Sequence, residues 1–302
     1  MRELHTHDIT EYKTCPRMYN YRAIEGLQPK VESPKLRIGT GFHLAVGAYY
    51  RSGGNAHHAL AICELWAEGN PDAAEASAVR RLVEHYIEFA KANDTFQVCA
   101  VEQCFRVPVW TPSGRRSPGV VFCGTFDGVI RDHRGRLALL EHKTARDFPP
   151  DVTLALDEQA GFYLLAANQL FGEVVDTVLY NVVRKVDPQR AKKEMVRRYY
   201  VVRNNHELRR LRDRLYYAYL QLKRDKLFLP SPGFHCGWKC PYTQLCTAEE
   251  AGFDVQYLKQ EFYEPVGRQP SWVDQLDKLE LRLARRTVFA CATEDGRRIA
   301  LG

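Results

Sequence analysis

The chain has 302 residues, 45% apolar and 26% charged, with 43 Lys and Arg against 37 Asp and Glu for a formal net charge of +6. At about 150 residues per domain that is one large or two ordinary domains, and the composition excludes a minimal disulfide scaffold, a fibrous repeat and wholesale disorder. The mild basic excess permits a polyanionic partner without demanding one.

No run approaches the ~18–20 apolar residues that span a bilayer, and residues 1–12 are charged with no apolar signal core, so the expectation is a cytoplasmic protein without a membrane partner. Without a secretory signal, cysteines read as metal ligands or buried thiols rather than disulfides. There are nine. Cys236, Cys240 and Cys246 crowd together, while Cys15, Cys63, Cys99, Cys104, Cys123 and Cys291 are scattered.

In chain order, residues 8–27 suggest two helical pieces broken at Cys15-Pro16, because proline suits a first helical turn and not a helix interior. Residues 38–50 and 77–93 read as helices, the second carrying the stripe Val79, Leu82, Val83, Tyr86, Ile87. The period then changes. Residues 98–110, 119–131 and 137–143 form a three-strand meander, with a three-residue loop His133-Arg134-Gly135 between the last two. A helix over residues 156–171 stops at Gly172, and residues 177–184 and 196–202 add two strands. Asn204 and Glu207 make a capping box that opens another helix, with the stripe Leu208, Leu211, Leu215, Tyr219, Leu222. Beyond the cysteine cluster lie a short helix at 271–286 and a hairpin around Glu294-Asp295-Gly296.

Strand period puts Leu137, Leu139, Glu141 and Lys143 on one face. With 132 pairing 136 across the turn, the register sets Asp127 opposite Glu141. Two adjacent acids disfavour joint ionisation unless a divalent cation sits between them, and a few oxygen ligands suit Mg²⁺ or Mn²⁺. Lys143 would then hold the attacking water or stabilise charge growing on a phosphate. The alternative is a surface salt bridge from Glu141 to Lys143.

Asp127 followed by Glu141-His142-Lys143 across a hairpin resembles the PD-(D/E)XK nuclease superfamily. That resemblance implies a metal bound by Asp127, Glu141 and the backbone carbonyl of His142, with Lys143 assisting phosphodiester hydrolysis. Two further motifs are similar to its RecB-like branch: Gly39-Thr40-Gly41-Phe42-His43 upstream, and Gln159-Ala160-Gly161-Phe162-Tyr163 downstream. His43 would supply an imidazole to the metal, and Gln159 and Tyr163 would bind the DNA backbone or steady the lysine. Glu102 is a candidate helper on the preceding strand. Cys236, Cys240 and Cys246, completed by Cys15, look like the 4Fe–4S arrangement of AddB-type and CRISPR spacer-acquisition nucleases. The first gap departs, at three residues instead of two, and structural zinc is the alternative.

These readings converge on an α/β nuclease domain over residues 1–250, with a central mixed sheet flanked by helices and an iron–sulfur clasp joining its terminal helical parts, followed by an appendage at 251–302. The expected activity is metal-dependent exonucleolytic cleavage of single-stranded DNA or duplex ends, in repair, recombination or spacer acquisition, with protein partners and oligomers admissible. Arg184, Lys185, Lys192, Lys193, Arg197 and Arg198 are candidate phosphate contacts. The alternatives are a non-enzymatic DNA-binding protein on the same fold and a zinc-stabilised adaptor.

Overall fold

Turn chemistry sets the first part of the sheet. In the computed structural model, which describes residues 1–70, 72–186, 194–265 and 272–294, the strands β3 (Gln97–Trp110), β4 (Arg116–Arg131) and β5 (Leu137–Ala145) form the expected meander. Asp132 N–H donates to Arg136 O at 3.0 Å, Gly135 takes φ +76°, and Arg131 faces Leu137. Left-handed backbone costs an ordinary L-residue roughly 1–2 kcal/mol, which is why glycine closes this loop.

The helix α7 (Glu158–Phe171), ended by Gly172 at φ +65°, returns the chain so that β6 (Thr177–Arg184) runs parallel to β5. β7 (Val196–Val202) then pairs antiparallel with β6. With the short β1 (Arg2–Leu4), the sheet order is β1-β4-β5-β6-β7, and β3 lies on the opposite edge of β4. The sheet is mixed, as expected. Its two faces bury different sets. Leu137, Leu139, Val178, Tyr180 and Val182 pack with α7 and α8 (Asn205–Arg224), while Ala138, Leu140, Leu179 and Val183 pack with α3 (Pro34–Arg51) and α5 (Ala73–Asn93). A strand buried on both faces accounts for the unbroken apolar run Leu137-Ala138-Leu139-Leu140.

Several elements depart from the sequence expectation. Residues 56–68 form a further helix, α4 (Ala56–Glu68). The helix expected from residue 156 starts at Glu158 as α7, because the Asp157 carboxylate caps it by accepting the Gln159 N–H at 3.0 Å, and a separate short helix, α6 (Asp151–Ala155), precedes it.

At the N-terminus, α1 (Thr6–Thr14) breaks at Cys15 (φ −160°) before α2 (Pro16–Tyr19), the π-turn Asn20–Ile24 and β2 (Leu27–Pro29). A 3₁₀ turn (Phe234–Gly237), α9 (Thr243–Glu250) and α10 (Gln256–Phe262) follow α8, and β8 (Tyr263–Pro265) pairs antiparallel with β2. α11 (Trp272–Glu294) lays Leu276 and Leu279 against Leu44, Ile62 and Leu65. The segment after residue 250 therefore supplies a strand and a packed helix. Of the expected hairpin, Glu294 ends α11, and Asp295 and Gly296 lie outside the described residues, as do Arg190, Lys192, Lys193 and the side chain of Cys291. No described helix is long and apolar enough to cross a membrane.

Candidate metal centre

One edge of β4 is shared between two strands: β1 pairs with Val120–Phe122, and β5 pairs with Gly128–Arg131. Among the described pairings, residues 123–127 have no ladder partner on that edge, so the sheet forks there. Asp127 stands at the fork, one step beyond the last β4–β5 pair and opposite Glu141 as the register requires. Its Oδ2 accepts the His142 N–H at 2.7 Å.

The other edge of β4 brings Glu102, between the pairs Val101↔Gly128 and Gln103↔Phe126, and Glu102 adopts φ +50°. A non-glycine residue there stores backbone strain, which is found where surrounding packing enforces it and often at functional sites. Gly47 of α3 leaves room for this side chain: a Cβ on Gly47 would lie 3.4 Å from Glu102 Cγ and 3.2 Å from Leu276 Cδ2.

α3 brings His43, whose Nδ1 lies 3.5 Å from Asp127 Oδ2. His43, Glu102 and Asp127 each offer a ligand atom, all within 4.8 Å of one another. The main-chain carbonyl of His142 hydrogen-bonds His43, and so it also borders this group. The imidazole of His142 points elsewhere, stacked on Tyr50 with ring centroids 5.7 Å apart.

Burial dominates the electrostatics. It raises Asp127 to about 7, opposed by the His142 N–H and Lys143. Burial and the charge of Asp127 raise Glu141 to about 8, and the same two causes push Glu102 well above the carboxylate range. His43 is pushed down by burial, against the pull of Glu141, so its ring is neutral near pH 7 and has a lone pair to offer. Burial would lower Lys143, but Glu141 and Asp157 outweigh it and raise the group, which therefore stays an ammonium. The set of one imidazole and buried carboxylates suits a hard divalent cation, and Mn²⁺ tolerates the imidazole well.

Lys143 Nζ donates to Asp157 Oδ2 at 2.6 Å and sits 5.1 Å from the centre of the Tyr180 ring, whose hydroxyl donates to the same carboxylate oxygen at 2.9 Å. Gln159 reaches Glu141 rather than the lysine, with Nε2 donating to Oε1 at 3.1 Å. Tyr163 packs against Phe105 and Phe126, with its hydroxyl beside Gln159. Asp157 escaped the sequence reading, although an Asp directly before Glu-Gln at a helix start is an N-cap signal.

The sequence profile of the PD-(D/E)XK nuclease superfamily matches residues 6–247. The chain belongs to this superfamily. Its members are metal-dependent hydrolases, in keeping with the donor set around Asp127. Among solved structures, a "Putative exonuclease" from Eubacterium rectale is similar in fold at 10% identity and TM-score 0.50, over 80% of this chain and 87% of that one. SSO0001 is 16% identical over 82% of this chain and 86% of its own, with TM-score 0.38. No curated protein matches in sequence.

Away from the nuclease centre, Cys15, Cys240 and Cys246 share one apolar cluster with Met18, Tyr21, Tyr242, Leu245 and Tyr263. Burial raises Cys240, with Cys15 and Cys236 near enough to add to the effect, and raises Cys246 against a hydrogen bond from Arg17. Of the expected phosphate contacts, Arg198 is corrected: its guanidinium is buried and binds Asp94 at 2.5 Å and Asn181 at 2.8 Å. Arg197 is held by Glu194 and lies over Phe148, and Arg184 approaches Asp147 at 3.4 Å. Both are occupied within the chain.

Proposed function

We propose that this nuclease is a divalent-metal-dependent DNA exonuclease of the RecB-like branch. The observation that carries the reading is the convergence of His43, Glu102 and Asp127 within 4.8 Å, with Glu141 and Lys143 on the facing strand. A bound Mg²⁺ or Mn²⁺ would polarise the scissile phosphate and acidify a water. The chain's own residues do the rest. His43, Glu102 and Asp127 would hold the cation, with Glu141 on the facing strand as a further carboxylate beside them, Gln159 fixes the Glu141 carboxylate, and the His142 carbonyl borders the ligand set. Lys143, kept protonated by Glu141 and Asp157, stabilises the charge that grows on the phosphate oxygens, so of the two tasks open to it this one is favoured.

The cysteine module supports the branch. We infer that Cys15, Cys236, Cys240 and Cys246 hold a 4Fe–4S cluster: three of them share one apolar cluster, and the fourth lies close enough to Cys240 to act on its charge. Ser231 N–H points at Cys15 Sγ at 3.4 Å, the kind of donor that steadies a cluster-bound thiolate.

The testing experiment uses end-labelled single-stranded and blunt duplex DNA, blocked in turn at each end, with Mg²⁺ or Mn²⁺. Stepwise release of labelled mononucleotides or short oligonucleotides from an unblocked end is expected. Cleavage unaffected by blocking both ends would refute the exonuclease reading, and no cleavage with either metal would refute the nuclease reading.

A further inference from the structure

The 3₁₀ turn inside the cysteine module exposes two large aromatic rings. Phe234 is 88% and Trp238 60% solvent-exposed, with ring centroids 6.2 Å apart. Each ring carries on the order of 150–250 Å² of surface whose burial would stabilise the fold, and yet the adjacent apolar cluster does not take them in.

The turn is held firmly. Lys239 and Cys240 N–H both donate to His235 O at 3.0 Å, Cys236 N–H donates to Gly233 O at 3.0 Å, and the Thr243 hydroxyl reaches the carbonyls of Cys236 and Cys240. The rings are therefore presented by a fixed backbone. Positive charge leads from them to the metal centre. Lys35 Nζ lies 5.7 Å from the centre of the Trp238 ring, at the start of the helix that carries His43. Lys185 Nζ lies 3.4 Å from Lys35 O, and its N–H donates to Ala145 O at 2.6 Å, two residues past Lys143 on β5. The charge of Lys185 is felt at His43.

Aromatic faces for bases, followed by ammonium groups for phosphates, match single-stranded nucleic acid: unpaired bases have free faces, whereas duplex bases are stacked on each other. We propose that Phe234 and Trp238 stack the unpaired bases of a single-stranded DNA end, and that Lys35 and Lys185 guide its backbone to the metal centre. This rests on the nuclease reading and adds to it the strand type and the entry side.

The test measures fluorescence anisotropy of a labelled oligo(dT) of about 16 nucleotides, the upper end of a stacking site, without divalent cation. Loss of one stacked base corresponds to roughly 5- to 150-fold in affinity, so Phe234→Ala and Trp238→Ala should each weaken binding by about tenfold. Trp238→Phe should retain it, because the face remains. Both rings are exposed, so melting temperature and iron content should stay at wild-type values, and blunt duplex affinity should change little. Unchanged oligo(dT) affinity in both alanine variants would overturn the platform and leave the rings to a protein partner. Equal losses on oligo(dT) and duplex would overturn the single-strand assignment. Cleavage of the same oligonucleotide by wild type with Mn²⁺ is read separately: binding through the rings without cleavage would sink the nuclease reading alone, and cleavage without ring-dependent binding would sink the platform alone.

Discussion

Asp127, Glu141 and Glu102 are buried together: burial raises the proton affinity of all three and the charge of Asp127 adds to it at Glu141 and Glu102, an arrangement that opposes folding unless a cation joins them. The sign follows from linkage. Folded-state values lie above the unfolded ones, so the native protein keeps protons that the unfolded chain releases, and metal-free stability falls as pH rises from about 4 through about 8. Asp127→Asn keeps an acceptor for the His142 N–H and removes the charge. It should stabilise the metal-free protein at pH 8 by on the order of 1–3 kcal/mol, with the gain vanishing near pH 4. Thermal unfolding in a chelator across that range checks this, and a variant less stable than wild type at pH 8 would contradict the electrostatic account. In the same cleft, Lys143→Ala and Glu141→Gln should each lower cleavage by on the order of 10²-fold or more with the fold intact. Near wild-type rates in labelled-DNA assays would remove these groups from the chemistry.

Elements place these residues through a few close approaches. α3 reaches the fork because Gly41 lies flat on α4: a Cβ at Gly41 would fall 2.8 Å from the Trp66 indole. Gly41→Ala should therefore displace the helix two residues from His43, costing about 1–3 kcal/mol and weakening Mn²⁺ binding. Calorimetric titration with Mn²⁺ and thermal unfolding would show both effects, and Trp66→Leu should restore part of each in the double variant. Sequence reading succeeded where local chemistry decides. Gly135 at its turn, Gly172 beyond α7 and the Asn204–Glu207 capping box all stand as expected, and β6 and β7 have the expected bounds. It failed where distant packing decides. β1, β2 and β8 are three residues each, too short for any periodicity, and their pairing comes from across the chain. The aim of Glu102 depends on a left-handed backbone beside Gly47 of α3, and no local pattern encodes it. Asp127 and Glu141 were legible because one hairpin register relates them. The grip of Asp157 on Lys143 was not, because it joins a helix cap to a strand.

Across the whole molecule, the two ends of the nuclease unit are tied together around the cysteines. Tyr242 donates its hydroxyl to Leu27 O at 2.7 Å, Lys30 N–H donates to Phe262 O at 3.0 Å, and Arg17 and Tyr21 bind Glu250 and Glu249. The ion pair of Arg17 with Glu250 is partly exposed, and exposed ion pairs contribute at most about 1 kcal/mol each. A group bound by Cys15 together with Cys236, Cys240 and Cys246 would bridge more than 200 residues of sequence, and its binding free energy would count towards folding. Cys15→Ser and Cys240→Ser should therefore lower iron and sulfide content and melting temperature to a similar extent in anaerobically purified protein. Cys99→Ser, at an exposed site on β3, is the control and should change neither. Zinc in place of iron and sulfide in the wild type would replace the cluster with a Cys₄ zinc site while keeping the clasp. Iron that falls in Cys240→Ser and persists in Cys15→Ser would break the clasp, because the N-terminal ligand would then have to be another residue.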